Sequence, residues 1–333
     1  MKNYRTFIGI DVAKLTLDYC LVTQDPQLEQ GQILNTQKSV GKFLITLKKA
    51  GCEMNEILFV FENTGIYSSL LALVLSENKL DYAQVPALEI KRSLGITRGK
   101  SDKVDAKEIA HYAKRNTDKI ALSILPEISL QQLKIVFAER EKTVAAIKTF
   151  ERTKENEMFL TKEVFGSVKT INNQTVKLLK KQLALLDEKI RTLIREDENL
   201  YGQQQLLKSI PGIGDITSVY ILMATKGFTA FTSGRKFACY SGVAPFEHSS
   251  GTSIKGKTRV SHLADKKMKT LLHMASLTAI KYDPELKDYY NRKKAEGKHT
   301  MLVLNNIKCK MVYRIFAVIQ RKSNFVNLHK FAA

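Results

Sequence analysis

Apolar residues in the first part of the chain switch repeatedly between a two-residue spacing and a spacing of three to four. Tyr4 to Ile10 and Leu15 to Thr23 are β-rich runs separated by a short polar break, and Gly31 to Asn35 predicts a third strand after a turn around Asp25-Pro26. Lys42 to Ala50 reads as a helix ended by Gly51. Ile57 to Phe61 is a short apolar run suited to a buried strand, and Ile66 to Ser76 returns to helical spacing. Tyr82 to Val85 is a further strand, stopped by Pro86. Asp102 to Lys114 then predicts a helix with Ala106, Ile109, Ala110 and Ala113 facing inward. Three early strands followed by strand–helix alternation predict an α/β domain with a mixed sheet over residues 1–125.

The pattern changes after that point. Leu130 to Leu200 contains no proline and a single glycine. Val176, Leu179, Leu183, Leu186, Ile190 and Leu193 recur at alternating steps of three and four, which is a heptad seam. Ile135, Ala138, Ala145 and Phe150 form a less regular counterpart, and Gly166 to Asn173 would supply the turn of a helical hairpin over residues 126–203. Such a seam fits an arm packed on itself and equally a coiled coil joining two protomers. Residues 204–328 read as a mainly helical third segment with Gly-, Ser- and Lys-rich loops.

Composition narrows the function. The chain has 333 residues, 44% of them hydrophobic, with 53 Lys and Arg against 33 Asp and Glu, for a net charge of +20. A chain this basic points to a polyanionic partner, DNA or RNA above all. The charge is concentrated. Ile254 to Lys269 holds six Lys or Arg against Asp265 alone, and Lys287 to Lys322 holds ten against Asp288 and Glu296. No apolar run is long enough for a spanning helix. The absence of a signal sequence and of any CxxC pair among four scattered cysteines predicts a cytosolic protein with reduced thiols and no zinc ribbon.

Four carboxylates stand where a metal site would place them. Asp11 and Glu62 end strands, while Asp102 and Asp105 lie three residues apart on one face at a helix start. Gathered above a sheet edge they would repel one another, and hard divalent cations relieve that repulsion. All-oxygen ligation selects Mg2+ or Mn2+ over zinc. Taken singly, each acid reads more readily as a solvated strand end or, for Asp102, a helix cap; the four in this order read as a site. Ile210-Pro-Gly212-Ile-Gly214 before an apolar helix resembles a helix–hairpin–helix, in which Gly212 and Gly214 allow a tight, phosphate-holding turn; it also reads as a plain interhelical turn. Ser249-Ser250-Gly251 sits in a loop leading to Lys255, Lys257 and Arg259. A serine beside cations can attack a phosphodiester, although from the residues alone serine next to glycine reads more readily as ordinary loop composition, and His248 reads as a solvated loop histidine. Arg98, Lys100 and Lys103, with Lys107, suit contacts to a nucleic-acid backbone.

These motifs together resemble the DEDD transposases of the insertion sequence 110 family, which includes the Piv DNA invertases. Gly9-Ile-Asp11-Val-Ala-Lys14, Glu62-Asn-Thr-Gly65 and Lys100-Ser-Asp102-Lys-Val-Asp105 match the N-terminal motifs in order. Ile210 to Gly214, Tyr240 to Pro245 and Ser250-Gly251 match the C-terminal domain. The resemblance implies an RuvC-like, RNase H-type N-terminal domain, a coiled-coil arm and a C-terminal transposase domain. It implies Mg2+ on Asp11, Glu62, Asp102 and Asp105, and a serine nucleophile that becomes covalently joined to DNA. That role carries onto Ser250, with Ser249 adjacent. It further implies donor and target DNA, a structured bridge RNA as guide, and a homodimer or homotetramer with composite active sites.

The leading function is therefore excision and insertion of a mobile element. A DNA invertase shares all these motifs. A junction-resolving nuclease would need the carboxylates without the serine, and a non-enzymatic nucleic-acid-binding protein would need neither.

Overall fold

The computed structural model describes residues 2–23, 28–94, 102–152, 155, 158–244, 246–250, 254–259 and 264–327; the side chains of 28, 94, 102–104, 167, 246–250 and 254–259 lie outside that description. The chain divides into two compact units, Met1–Leu125 and Pro126–Ala333.

In the first unit, β1 (Thr6–Val12) pairs antiparallel with β2 (Thr16–Thr23), which pairs antiparallel with β3 (Leu28–Leu34). On its other edge β1 runs parallel to β4 (Ile57–Glu62), and β4 parallel to β5 (Tyr82–Val85), giving the order β3-β2-β1-β4-β5. This is the expected mixed sheet. Alternation along the central strands feeds two cores. Ile8, Ile10, Ile57, Phe59 and Phe61 pack with α1 (Gln37–Lys49) and α2 (Ile66–Glu77). Phe7, Leu58 and Val60 pack on the opposite face with Ile90 of α3 (Ala87–Leu94) and with Ile109, Tyr112 and Ala113 of α4 (Asp102–Arg115). Helix α1 starts at Gln37 rather than Lys42 because Thr36 caps it, its hydroxyl accepting from the Ser39 N–H at 3.3 Å. The polar first turn hid that start from the hydrophobic pattern.

The second unit is almost entirely helical. Helices α5 (Ile128–Arg152) and α6 (Lys162–Arg195) form an antiparallel hairpin, fixed by Arg140–Asp187 at 2.6 Å and Lys180–Glu151 at 2.8 Å. The expected turn at Gly166 to Asn173 is corrected: those residues lie inside α6, which begins where Thr161 accepts from the Val164 N–H. A lone glycine costs a helix about 1 kcal/mol, too little to end one. The face expected for the first helix is also corrected. Ile135 is exposed, as are Ala138 and Ala145, while Leu133, Phe137 and Ile147 are buried. Within the heptad seam Val176, Ile190 and Leu193 are buried, the last two packing in one core with Leu130, Leu133 and Phe137.

That core continues without a break into α7 (Glu198–Lys208), α8 (Asp215–Thr225), α9 (Gly234–Tyr240), α10 (Lys266–Tyr282), α11 (Pro284–Ala295) and α12 (Thr300–Arg321). A two-stranded ribbon, β6 (Phe246–Ser250) with β7 (Ile254–Arg259), lies between α9 and α10 in the chain. Among the described residues, no helix is long and apolar enough to cross a membrane.

Candidate active site

The acidic site begins with Gly9. A Cβ built there would stand 2.2 Å from the Ala110 nitrogen and 2.3 Å from the Ala106 carbonyl oxygen. The absence of a side chain lets the backbone of α4 rest directly on β1. Ala106 and Ala110, small and fully buried, complete the seat against Cys20 and Val22 of β2. Seating α4 there brings its acidic face beside the ends of β1 and β4.

The result is a cavity of about 150 Å3 lined by Asp11, Glu62, Asp105 and Glu108, together with Lys91, Ile90 and Ile109. Three of the four expected acids thus share one cavity. Asp102 opens α4 one turn earlier, with its side chain outside the description. Burial pushes the Glu62 carboxyl above the usual carboxylate range; Lys91 opposes the shift and the nearby Asp105 adds to it. The donor chemistry suits a hard divalent cation, since every lining ligand group is a carboxylate. Among the described residues, however, no three His, Cys, Asp or Glu side chains are grouped closely enough to hold a metal ion.

Two charged lining residues, Glu108 and Lys91, escaped the sequence reading, as did the apolar Ile90. Glu108 follows Asp105 by one helical turn, so the three-residue step from Asp102 through Asp105 could have been extended to it. Lys91 carried no such signal, because α3 itself was not anticipated. Helix α3 is held on α4 by the Tyr112 hydroxyl, which donates to Glu89 Oε1 at 2.8 Å, and by the buried Ile90.

Gly212 occupies the turn between α7 and α8 with φ of +93°, and a Cβ there would meet the Ala275 carbonyl oxygen at 2.3 Å. Gly214 precedes α8 with open space around it. The two-helix element expected around this turn is therefore present, and its ends are joined by Lys208–Asp215 at 2.6 Å. A cavity of about 260 Å3 opens beside it, lined by Arg191, Arg195 and Lys208 as well as Asp215.

Ser250 ends β6 and pairs with Ile254; Ser249 pairs with Lys255. Lys257 and Arg259 follow in β7, and Lys103 lies in the first turn of α4; the side chains of all these residues are outside the description. Arg98 and Lys100 lie outside the described residues altogether.

Comparison with known proteins agrees over most of the chain. A family model described as "Transposase" matches residues 8–156, and one described as "Transposase IS116/IS110/IS902 family" matches residues 204–291. The "Pilin gene-inverting protein" of Moraxella bovis is 27% identical over 96% of this chain and 98% of its own length. The "Insertion element IS116 uncharacterized 44.8 kDa protein" of Streptomyces clavuligerus is 21% identical over 91% and 92% respectively. Among solved structures, "T. thermophilus RuvC in complex with Holliday junction substrate" matches 36% of this chain and 100% of its own, at 13% identity and a TM-score of 0.27. The family models and the sequence relatives define a DNA transposase/recombinase. The chain belongs to the IS110 family, the group that unites these transposases with the pilin gene-inverting proteins.

Proposed function

We propose that this chain excises and inserts a mobile DNA element, using a carboxylate site in an RuvC-like first unit and a serine nucleophile in the second. The observation that carries the reading is the shared cavity of Asp11, Glu62 and Asp105, three acids brought together in family-motif order. With Asp102 they are the residues to hold Mg2+, or Mn2+ in its place. Bound there, such ions would supply charge stabilisation for phosphoryl transfer.

Ser250 is the proposed nucleophile, with Ser249 the adjacent alternative. Its Oγ forms a bond to phosphorus as the bond to one deoxyribose oxygen breaks; the Oγ proton departs and the leaving oxygen takes one up. The energy of the phosphodiester is kept in the serine ester for rejoining. Serine needs activation, and no residue beside Ser250 in sequence is a strong base, so activation falls to the carboxylate site, within one protomer or across two. Lys255, Lys257 and Arg259 suit contacts to DNA phosphates. Family resemblance supports a structured bridge RNA as guide and a dimer or tetramer as the working assembly.

Replacing Asp11, Asp102 or Asp105 by Asn should abolish recombination while leaving nucleic-acid binding largely intact. Wild-type rates in all three variants would sink the metal-site reading. Ser250→Ala should remove the covalent protein–DNA adduct seen on denaturing gels, and Ser249→Ala should be milder. The reverse pattern would move the nucleophile by one residue. Mixing Asp102→Asn with Ser250→Ala protein should restore partial activity if the composite site spans protomers.

The second reading is site-specific inversion, favoured by the end-to-end match to the pilin gene-inverting proteins. The DNA flanking the gene separates the two: element ends with a structured noncoding region mark a transposon, and inverted sites around a neighbouring gene mark an invertase.

A further inference from the structure

Asp265, the lone acid in the basic stretch from Ile254 to Lys269, follows the serine ribbon in the chain and accepts from three donors. The Tyr220 hydroxyl donates to it, 2.8 Å from Oδ2 and 3.1 Å from Oδ1. The Tyr240 hydroxyl donates to Oδ2 at 2.9 Å, and the Met268 N–H to Oδ1 at 2.9 Å. The Asp265 N–H in turn donates to the Tyr240 carbonyl oxygen at 2.9 Å. Residues 240 and 265 are therefore tied twice, once through backbone and once through side chains.

Between those two residues in the chain lie β6 and β7. The ribbon has only two strands, with a register shift between Phe246 and His248. A two-stranded hairpin is marginal on its own in water, so a tie between the chain positions that bracket it would steady it. Capping α10 uses the Oδ1 of Asp265 and would not require two tyrosines. Tyr240 is braced by the rings of Phe231 and Phe237, with centroids 5.1 and 5.9 Å away. Burial, the hydrogen bond to Asp265 and its charge raise both hydroxyls well above the ordinary tyrosine range, so both remain donors. Lys267 does not compete for the carboxylate, because it pairs with Glu141.

We propose that Asp265, Tyr220 and Tyr240 form a clasp that closes the base of the serine ribbon and acts as a set of positioning residues for the reaction at Ser250. The proposal rests on the reading of Ser250 as the nucleophile. It assigns the three residues no contact with DNA.

The test uses the full-length double variant Tyr220→Phe/Tyr240→Phe, which keeps both rings and the helix cap. Amide hydrogen exchange over residues 246–259 should accelerate about tenfold, with α12 unchanged, as expected when charge-assisted bonds are lost. The single-turnover rate of adduct formation should fall about tenfold, because misplacing a reacting group lowers the rate without weakening binding. The adduct assay uses duplexes and transcribed RNA from the DNA flanking the gene. Affinity for the same duplexes should stay within about twofold, a split that general loss of structure would not produce. Unchanged exchange overturns the clasp. Faster exchange with an unchanged adduct rate overturns the positioning role. An adduct that survives Ser250→Ala overturns the nucleophile reading, independently of what the tyrosine variant does.

Discussion

A single missing side chain decides whether the carboxylates meet. At Gly9 the nearest atoms of α4 belong to its backbone, and backbone cannot swing aside as a flexible side chain can. Gly9→Ala should therefore destabilise the first unit by about 3 kcal/mol, the upper range for overpacking, readable as a lower urea midpoint. The same change should weaken Mn2+ binding by shifting Asp105 away from Asp11 and Glu62. An unaltered midpoint would show that α4 can lift off β1 cheaply. The motif Gly9-Ile-Asp11 and the pattern of Ala106 and Ala110 were plain in the sequence. The acids at Asp11, Glu62 and Asp105 were plain too, because strand ends and a helix start are marked by periodicity. Lys91 was not, since a long-range charge leaves no local spacing.

Elements were legible where apolar residues recur at a clear spacing over several turns or strand residues. Strands β1, β4 and β5 and helices α2 and α4 emerged close to their observed limits. Helix α3 did not, being only eight residues long and following directly on the proline that ends β5. The hairpin turn was misplaced because glycine was read as punctuation, whereas Thr161 sets the start of α6. Helix α4 carries its own pH response. Burial, then Lys107, Arg115 and Lys114, lower the His111 pKa from its ordinary 6.5. The folded state then resists protonation, so this residue's contribution is complete above about pH 6.5 and shrinks as pH falls below it. Relative to wild type, His111→Gln should lose less stability between pH 7 and pH 5. Equal losses would remove His111 from the acid response. In the second unit, Arg314 joins α12 to the start of α11, bonding the fully buried Asp283 at 2.5 Å and Glu285 at 2.6 Å. Arg314→Ala should cost about 3 kcal/mol, because a buried carboxylate would lose its cationic partner. Asp283→Asn, which removes that charge, should cost less in denaturant titrations.

For the molecule as a whole, charge is the most readable property. A net +20 predicts binding that weakens steeply with salt as counterions are released from phosphates. Replacing Lys255, Lys257 and Arg259 together by Ala should flatten the log–log salt dependence by up to ~3 units, about one per phosphate contact. An unchanged slope would exclude this ribbon from the interface. The division at Leu125 was visible in the sequence as the change from alternating to uniformly helical spacing. That the hairpin base and the C-terminal helices share one core was not, since no local pattern records which apolar faces meet. Each unit nevertheless rests on one glycine pressed against a helix backbone, Gly9 on Ala106 and Gly212 on Ala275. Glycine is encoded by GGN, and every sense change in either of the first two bases introduces a Cβ. Neither codon therefore has a neighbouring nonsynonymous sense codon that preserves the contact: drift there is confined to the third base, and a lineage that loses either glycine has only reversion or a compensating shift of an entire helix as a way back.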